Sequence, residues 1–277
     1  MDYFSDVGDI VCSSSRAVGE EEEEDGIAPS RNVSVQWSPM AKEEMSTAAD
    51  QKLACTVLII ALGPEATGFV QTYLLAEQET QTLAVLTSGL SEQDINSFCQ
   101  QAPTDKTCYV QRLKDKPHFL TVMCNTPHTS PEQSFSWCEQ LFSGVSLKDA
   151  IYVGVLATSA ASNFKSEVAH GELPCPFLRS LHTSAFKGRP VVPCLEQPNI
   201  ISGLAAQVLS HCQVHQVAAV LYMCFNDVRY VDIKTIKAFN PILTTTPLRD
   251  FVVNNPKADA QLRAYTEKHA DHSLLYI

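Results

Sequence analysis

The sequence predicts a three-layer α/β/α sandwich built on a mixed, partly parallel central sheet. "LACTVLIIAL" (Leu53–Leu62), "AIYVGVLAT" (Ala150–Thr158) and "VAAVLYMCF" (Val217–Phe225) are nearly continuous apolar runs rich in β-branched residues. Such runs suit strands buried on both faces, as in a sheet covered by helices on each side. Between them, apolar residues recur at helical spacing, so strands and helices alternate along the chain. No segment repeats.

Each element has its own signal. The first buried run ends in "GPEATGF" and passes into a helix with Phe69, Tyr73 and Leu74 at helical spacing. "TLAVLTS" is a short strand, and "TCYVQRL" (Thr107–Leu113) and "HFLTVMC" (His118–Cys124) form a hairpin across the turn-rich "KDKP". "SPEQSFSWCEQLFSG" is a helix with Ser130 as N-cap, Pro131 in its first turn, and Phe135, Cys138, Leu141 and Phe142 on one apolar face. A long polar, Pro-rich segment runs from Ser159 to Pro193, and structureless segments of that length usually serve a function. "EQPNIISGLAAQVLSHCQV" then reads as a helix with Ile200, Leu204, Val208 and Leu209 inward. A short helix from Asp232 to Phe239 stops before Pro241. "NNPKADAQLRAYTEKHA" begins the last helix, with Asn255 as cap and Pro256 in the first turn.

Charge divides the chain. Residues 1–50 hold 12 acidic and 3 basic side chains, including the run Glu20–Asp25, whereas the remaining 227 residues hold 19 acidic and 17 basic ones. Like charges that close repel and favour solvated states, so residues 1–50 read as an acidic, disordered tail. Residues 51–255 read as the α/β domain, and 256–277 as a C-terminal helix and tail. A nearly neutral body lacks the basic face that phosphate neutralisation needs, so nucleic acid is not the expected partner. No apolar stretch approaches the roughly 20 residues of a membrane-spanning helix, and the start lacks the basic-then-apolar pattern of a signal peptide. The expected compartment is the cytoplasm, with nuclear or endoplasmic-reticulum-associated pools as alternatives. The ten cysteines are scattered, several inside apolar runs, with no CxxC and no zinc-finger spacing; they read as small buried hydrophobes.

Enzyme signatures are missing where the fold class would carry them. "GPEATG" (Gly63–Gly68) opens a helix after a buried strand, but it lacks the lysine and hydroxyl of a phosphate loop, and Pro64 removes an amide donor. No GxSxG occurs. His211-Cys212 and His215 lie on an apolar helix, where a packed histidine is the simpler reading than a catalytic or metal-binding one. Asp227 and Asp232 follow a buried strand, where open α/β sheets bind ligands, yet caps and turns account for both. Neither a cofactor nor a metal is expected.

The terminus "HSLLYI" raises a different possibility. Leu275, Tyr276 and Ile277 place three apolar side chains beside a free carboxylate. They either tuck into the chain's own core or plug a pocket on another molecule.

Three blocks decide the preference. "LPCPFLRSLHTSAFK" (Leu173–Lys187), "CLEQPNIISGLAAQVLSHCQV" (Cys194–Val214) and "AAVLYMCFNDVRYVDIKTIKAFNPIL" (Ala218–Leu243) resemble the proteasome assembly chaperone 1 family. The resemblance is looser over residues 53–158, and in the N-terminal tail only the acidic character matches. It implies a phosphorylase/hydrolase-like sandwich without enzymatic activity. It also implies a heterodimer with proteasome assembly chaperone 2, a related α/β protein. That pair would bind α-type core-particle subunits, α5 and α7 among them, promote the seven-membered α-ring and keep rings from pairing prematurely. The family's hydrophobic-Tyr-any motif maps onto Leu275, Tyr276 and Ile277, which would enter a pocket between neighbouring α-subunits. Phe177, Leu178 and Phe186 are candidate anchors for the partner, or else residues that pin a long loop to the core. The competing reading, from fold class alone, is an enzyme of nucleoside phosphorylase or hydrolase type.

Overall fold

The computed structural model describes residues 33–76, 78–88, 107–125, 131–166, 174–245, 247–252 and 254–273, with side chains at 88, 131, 132 and 271–273 excepted. In chain order the elements are β1 (Val33–Trp37), α1 (Pro39–Thr47), β2 (Leu53–Ala54), β3 (Val57–Leu62), α2 (Pro64–Tyr73), β4 (Thr80–Ser88), β5 (Thr107–Leu113) and β6 (Lys116–Cys124). There follow α3 (Pro131–Gly144), β7 (Val145–Ser146), β8 (Tyr152–Ala160), β9 (Phe177–His182), α4 (Gly203–Val214), β10 (Ala219–Asn226), α5 (Ile233–Ala238) and α6 (Ala258–Ser273).

Eight strands form one mixed sheet in the order β1-β4-β5-β6-β3-β8-β10-β9, and β2 pairs with β7 in a small strip. The centre is parallel, β3 lying between β6 and β8, with β10 parallel to β8. Both flanks are antiparallel. The three long apolar runs occupy that parallel centre. In β3, Leu58, Ile60 and Leu62 face a core shared with α1, α3 and α4, while Val57, Ile59 and Ala61 face a second core under α2, α5 and α6. β10 divides likewise: Leu221, Met223 and Phe225 to one side, Val220, Tyr222 and Cys224 to the other. A strand covered on both faces has no use for a polar period, which explains the unbroken apolar runs.

The folded body begins earlier than residue 51. The whole of β1 pairs with the second half of β4, from Val33 opposite Ser88 to Trp37 opposite Ala84. The segment is "VSVQW", in which Val33, Val35 and Trp37 pack on the core while Ser34 turns its hydroxyl to Thr87. Ser38 then caps α1, its Oγ accepting from Ala41 N, and Glu44 forms a 2.7 Å ion pair with Arg112 of β5. Acidic composition therefore conceals a strand and a helix between residues 33 and 47. Residues 1–32, with the Glu20–Asp25 run, lie outside the described residues.

Two side chains expected to face inward do not. Phe135 is 54% exposed, because the buried stripe of α3 runs through Ser134, Trp137, Cys138, Leu141 and Phe142. Trp137 sets that register, its Nε1 donating to Cys108 Sγ at 3.3 Å inside the core. Ile200 is 86% exposed, because α4 starts only at Gly203. Gly203 sits at φ +71°, so no helical period runs through it from Ile200.

Candidate functional site

The last helix is fastened to the body at several points. Asn255 bridges two elements: its Oδ1 accepts from Lys257 N, and its Nδ2 donates to Thr72 O at 3.0 Å and to Gln261 Oε1 at 2.7 Å. Leu262 is fully buried under α2. Tyr265 lays its ring on Gly68 and donates its hydroxyl to Pro64 O at 2.7 Å. Asp259 pairs with Lys237 of α5 at 2.7 Å. Close approach of ring to backbone is what Gly68 permits, since any side chain there would collide with it. α6 thus forms a fixed stalk ending at Ser273. Leu275, Tyr276 and Ile277 lie outside the described residues.

The second candidate set surrounds β9, an outer strand of the sheet. Phe177 stacks on Phe225 at 5.3 Å and meets Phe164 edge-on at 5.0 Å. The Arg179 guanidinium lies 4.9 Å from the Phe177 ring centre and 5.2 Å from that of Phe164. Its Nε donates to both oxygens of Glu196, at 2.8 and 2.9 Å, and its Nη1 donates to Leu178 O. Leu178 is buried, whereas Phe177 and Phe186 keep partial exposure. Phe186 packs edge-on against Tyr152 and beside His182. The structure therefore brings all three sequence-predicted residues to one edge, with both phenylalanine rings at least partly spent on the body.

That edge is closed on its outer side. Ser180 N donates to Pro193 O, and Leu195 N donates to Ser180 O, so the returning segment pairs with the strand. Arg179 occupies the neighbouring carbonyl of Leu178. Unpaired strand edges invite further pairing, and here a short bridge and a guanidinium block it. Sequence reasoning missed Arg179 and Glu196. Their spacing of 17 residues carries no local signal, and only the fold joins them.

The carboxyl ends of the parallel strands are where an enzyme of this architecture would work. Glu65, in the first turn of α2, is 8% exposed and receives a long 3.4 Å hydrogen bond from Thr158 Oγ1. Burial pushes its carboxyl above the usual carboxylate range, and the charge of Asp232 adds to this. Asp232 itself caps α5, accepting from Lys234 N and Thr235 N. The nearby thiol of Cys224 is pushed up to about 12 by burial, and burial raises Cys175 too. Raised thiols are poor nucleophiles, so this set holds a protonation-prone carboxyl but no activated attacking group.

The histidine pair is likewise a packing feature. His211 stacks on Phe142 at 4.3 Å and His215 stands 4.3 Å from His211. Partial burial, then His215 and Lys52, hold His211 down to about 4. Cys212 points into the core, with its thiol pushed up to about 12. Thiol and imidazole are therefore directed apart. Among the described residues no group of three His, Cys, Asp or Glu side chains is placed to hold a metal ion, and no helix is long and apolar enough to cross a membrane.

The chain is similar to several known proteins in sequence and in fold. A family model named PAC1 and described as proteasome assembly chaperone 4 matches residues 3–277. Proteasome assembly chaperone 1 of Xenopus laevis is 34% identical over 248 residues, covering 89% of this chain and 85% of that protein. The Homo sapiens chaperone of the same name is 30% identical over 294 residues, covering 97% and 98%. Among solved structures, Pyrococcus furiosus PbaB, an archaeal proteasome activator, superposes with a TM-score of 0.53 at 13% identity over 88% of this chain and 99% of its own. Pyrococcus furiosus PbaA, an archaeal homolog of proteasome-assembly chaperone, gives 0.51 at 9% identity over 88% and 100%. At those identities the two archaeal proteins show a shared fold.

Proposed function

We propose a function from one premise: this chain belongs to the proteasome assembly chaperone 1 family. Its role is that of a chaperone in proteasome assembly, with proteasome subunits as partners, and the family is not one of enzymes. The finer reading is a heterodimer with proteasome assembly chaperone 2 that captures α-type core-particle subunits, α5 and α7 included. It promotes the α-ring and prevents rings from pairing prematurely. The proposed compartment is the cytoplasm, with nuclear or endoplasmic-reticulum-associated pools as alternatives. The observation that carries the reading is the family-model match over residues 3–277.

In this reading Leu275, Tyr276 and Ile277 enter a pocket between neighbouring α-subunits. Leu275 fills an apolar slot, and Tyr276 adds contact area at low rotamer cost. The Ile277 carboxylate pairs with a pocket lysine, a contact that one added residue would spoil. A single such tail binds weakly, but a second tail on the partner and a body-to-ring surface raise its effective concentration. Phe177 and Phe186 reach the partner chaperone from the β9 side, with Leu178 supporting them from the core.

Pull-down from lysate with the full chain and with a chain lacking Leu275–Ile277 tests this reading, with mass spectrometry of what co-purifies. The full chain should recover a related α/β partner and α-type subunits. The shortened chain should keep its melting temperature and the α/β partner while losing α-subunits. A shortened chain that melts several degrees lower yet captures α-subunits normally would make the tail a core element and defeat the docking reading.

A further inference from the structure

We propose that the C-terminal tail has an intramolecular resting place, the groove between α5 and α6, from which it is released to its target. The inference rests on the tail reading above and concerns where the tail lies beforehand. The groove has a volume of about 650 Å³ and is lined by Tyr230, Val231 and Ile233 on one side and by Thr266, Glu267 and Ala270 on the other, with Lys234, Lys237 and the α5 cap Asp232 on its wall. Tyr230 stands 60% exposed on the rim, a large aromatic surface with nothing packed over it among the described residues.

The helix ends over this groove. Ser273, the last residue of α6, is seven positions beyond Thr266 and three beyond Ala270, so all three share one face. Four residues follow it, Leu274 to Ile277. Four residues extend at most about 14 Å. The seven-residue rise from Thr266 to Ser273 is about 10 Å. The chain is therefore long enough to turn back along the groove to the level of Thr266, and too short to pass far beyond it. Leu275 and Tyr276 match the apolar wall.

The lysines complete the fit. Lys237 already pairs with Asp259. Lys234, one turn earlier on α5, is exposed on the wall and is the cation available to the Ile277 carboxylate. The groove thus offers the same chemistry, an apolar slot beside an ammonium, that the docking reading asks of the target pocket. The two sites compete for one tail.

The test is timed release of Ile277 by a carboxypeptidase from the intact full-length chain, followed by mass spectrometry. The free peptide His-Ser-Leu-Leu-Tyr-Ile serves as the unprotected standard. The full chain should be trimmed about tenfold more slowly than the peptide, corresponding to a docked state favoured by about 1.4 kcal/mol. Lys234→Glu or Tyr230→Ser, both at exposed positions, should restore most of the peptide's rate without lowering the melting temperature. Trimming of the wild-type chain at the peptide's rate overturns the proposal, as does protection that neither substitution relieves. Protection that grows with chain concentration assigns the groove to a second copy and overturns it too. Since no proteasome subunit is present, failure here leaves the pull-down result untouched, and failure of the pull-down leaves the trimming rates standing.

Discussion

Replacing Gly68 with alanine drives a methyl group into the ring of Tyr265. A Cβ at that position would lie 2.7 Å from Cε1, 3.0 Å from Cδ1 and 3.1 Å from Cζ. The ring has little room to swing aside, because its hydroxyl is held by Pro64 O. Overpacking of this kind costs about 1–3 kcal/mol. Removing a glycine from a helix returns about 1 kcal/mol, which leaves a net loss of about 1 kcal/mol. Full release of α6 would give up the full burial of Leu262, about 1.5–3 kcal/mol, and the partial burial of Tyr265 as well. Release thus costs more than the clash, and the helix should shift rather than detach. A urea-denaturation double-mutant cycle with Tyr265→Ala checks the account. Without the ring, Gly68→Ala should stabilise by about 1 kcal/mol, giving a coupling of about 2 kcal/mol. An equal cost with and without the ring would refute the steric reasoning.

Three further outcomes follow from the described contacts. Arg179→Ala should cost about 1–2 kcal/mol in urea melts and raise turbidity on heating, since it uncovers Leu178 O and two phenylalanine faces. Glu196→Gln, whose carboxylate is 49% exposed, should cost at most about 0.5 kcal/mol; equal losses would make the ion pair, not the aromatic stack, the main term. Glu65 binds its proton more tightly in the folded chain than its unfolded value of about 4.3 allows. Its stabilising contribution is therefore complete below that value and lost as pH rises through the folded value. Melting curves should show Glu65→Gln level with wild type near pH 4 and above it at pH 7; a constant offset would contradict this. Alkylation with peptide mapping should modify the exposed Cys194 well before Cys55, Cys138, Cys212 and Cys224, whose thiols burial pushes up to about 12. Early modification of Cys212 would show that α4 opens in the native state.

The parallel centre was legible in the sequence because burial on both faces writes itself into composition. β3, β8 and β10 each coincide closely with an apolar run, and the β5–β6 hairpin follows its turn residues. β1 escaped because net charge over fifty residues hid a five-residue alternation, although Val33, Val35 and Trp37 against Ser34 and Gln36 show the period of a half-buried strand. Phe135 lies just off the buried stripe of α3, where a helical wheel tolerates an error of one position, and Ile200 lies before α4, whose start at Gly203 no periodicity marks. The tail was visible as an oddity from its residue types. Its support was not, because Tyr265 and Pro64 are 201 positions apart and no local pattern joins them.

That separation has a consequence for biosynthesis. α6 packs on α2 and α5, so the outer side of α2 around Gly68 and Thr72 waits for residues far later in the chain. At about 5–20 residues per second, the interval between the emergence of α2 and of Leu262 is roughly 10–40 s. A ribosome that stops before α6 leaves a polypeptide with its described strands but with the patch of α2 beneath Leu262 and Tyr265 uncovered, the kind of surface that quality-control machinery binds. Sealing of that patch and, in the proposed reading, presentation of the tail depend on the same helix. In that reading a nascent chain becomes sealed and tail-bearing at nearly the same moment, and a product cut short before α6 has neither property.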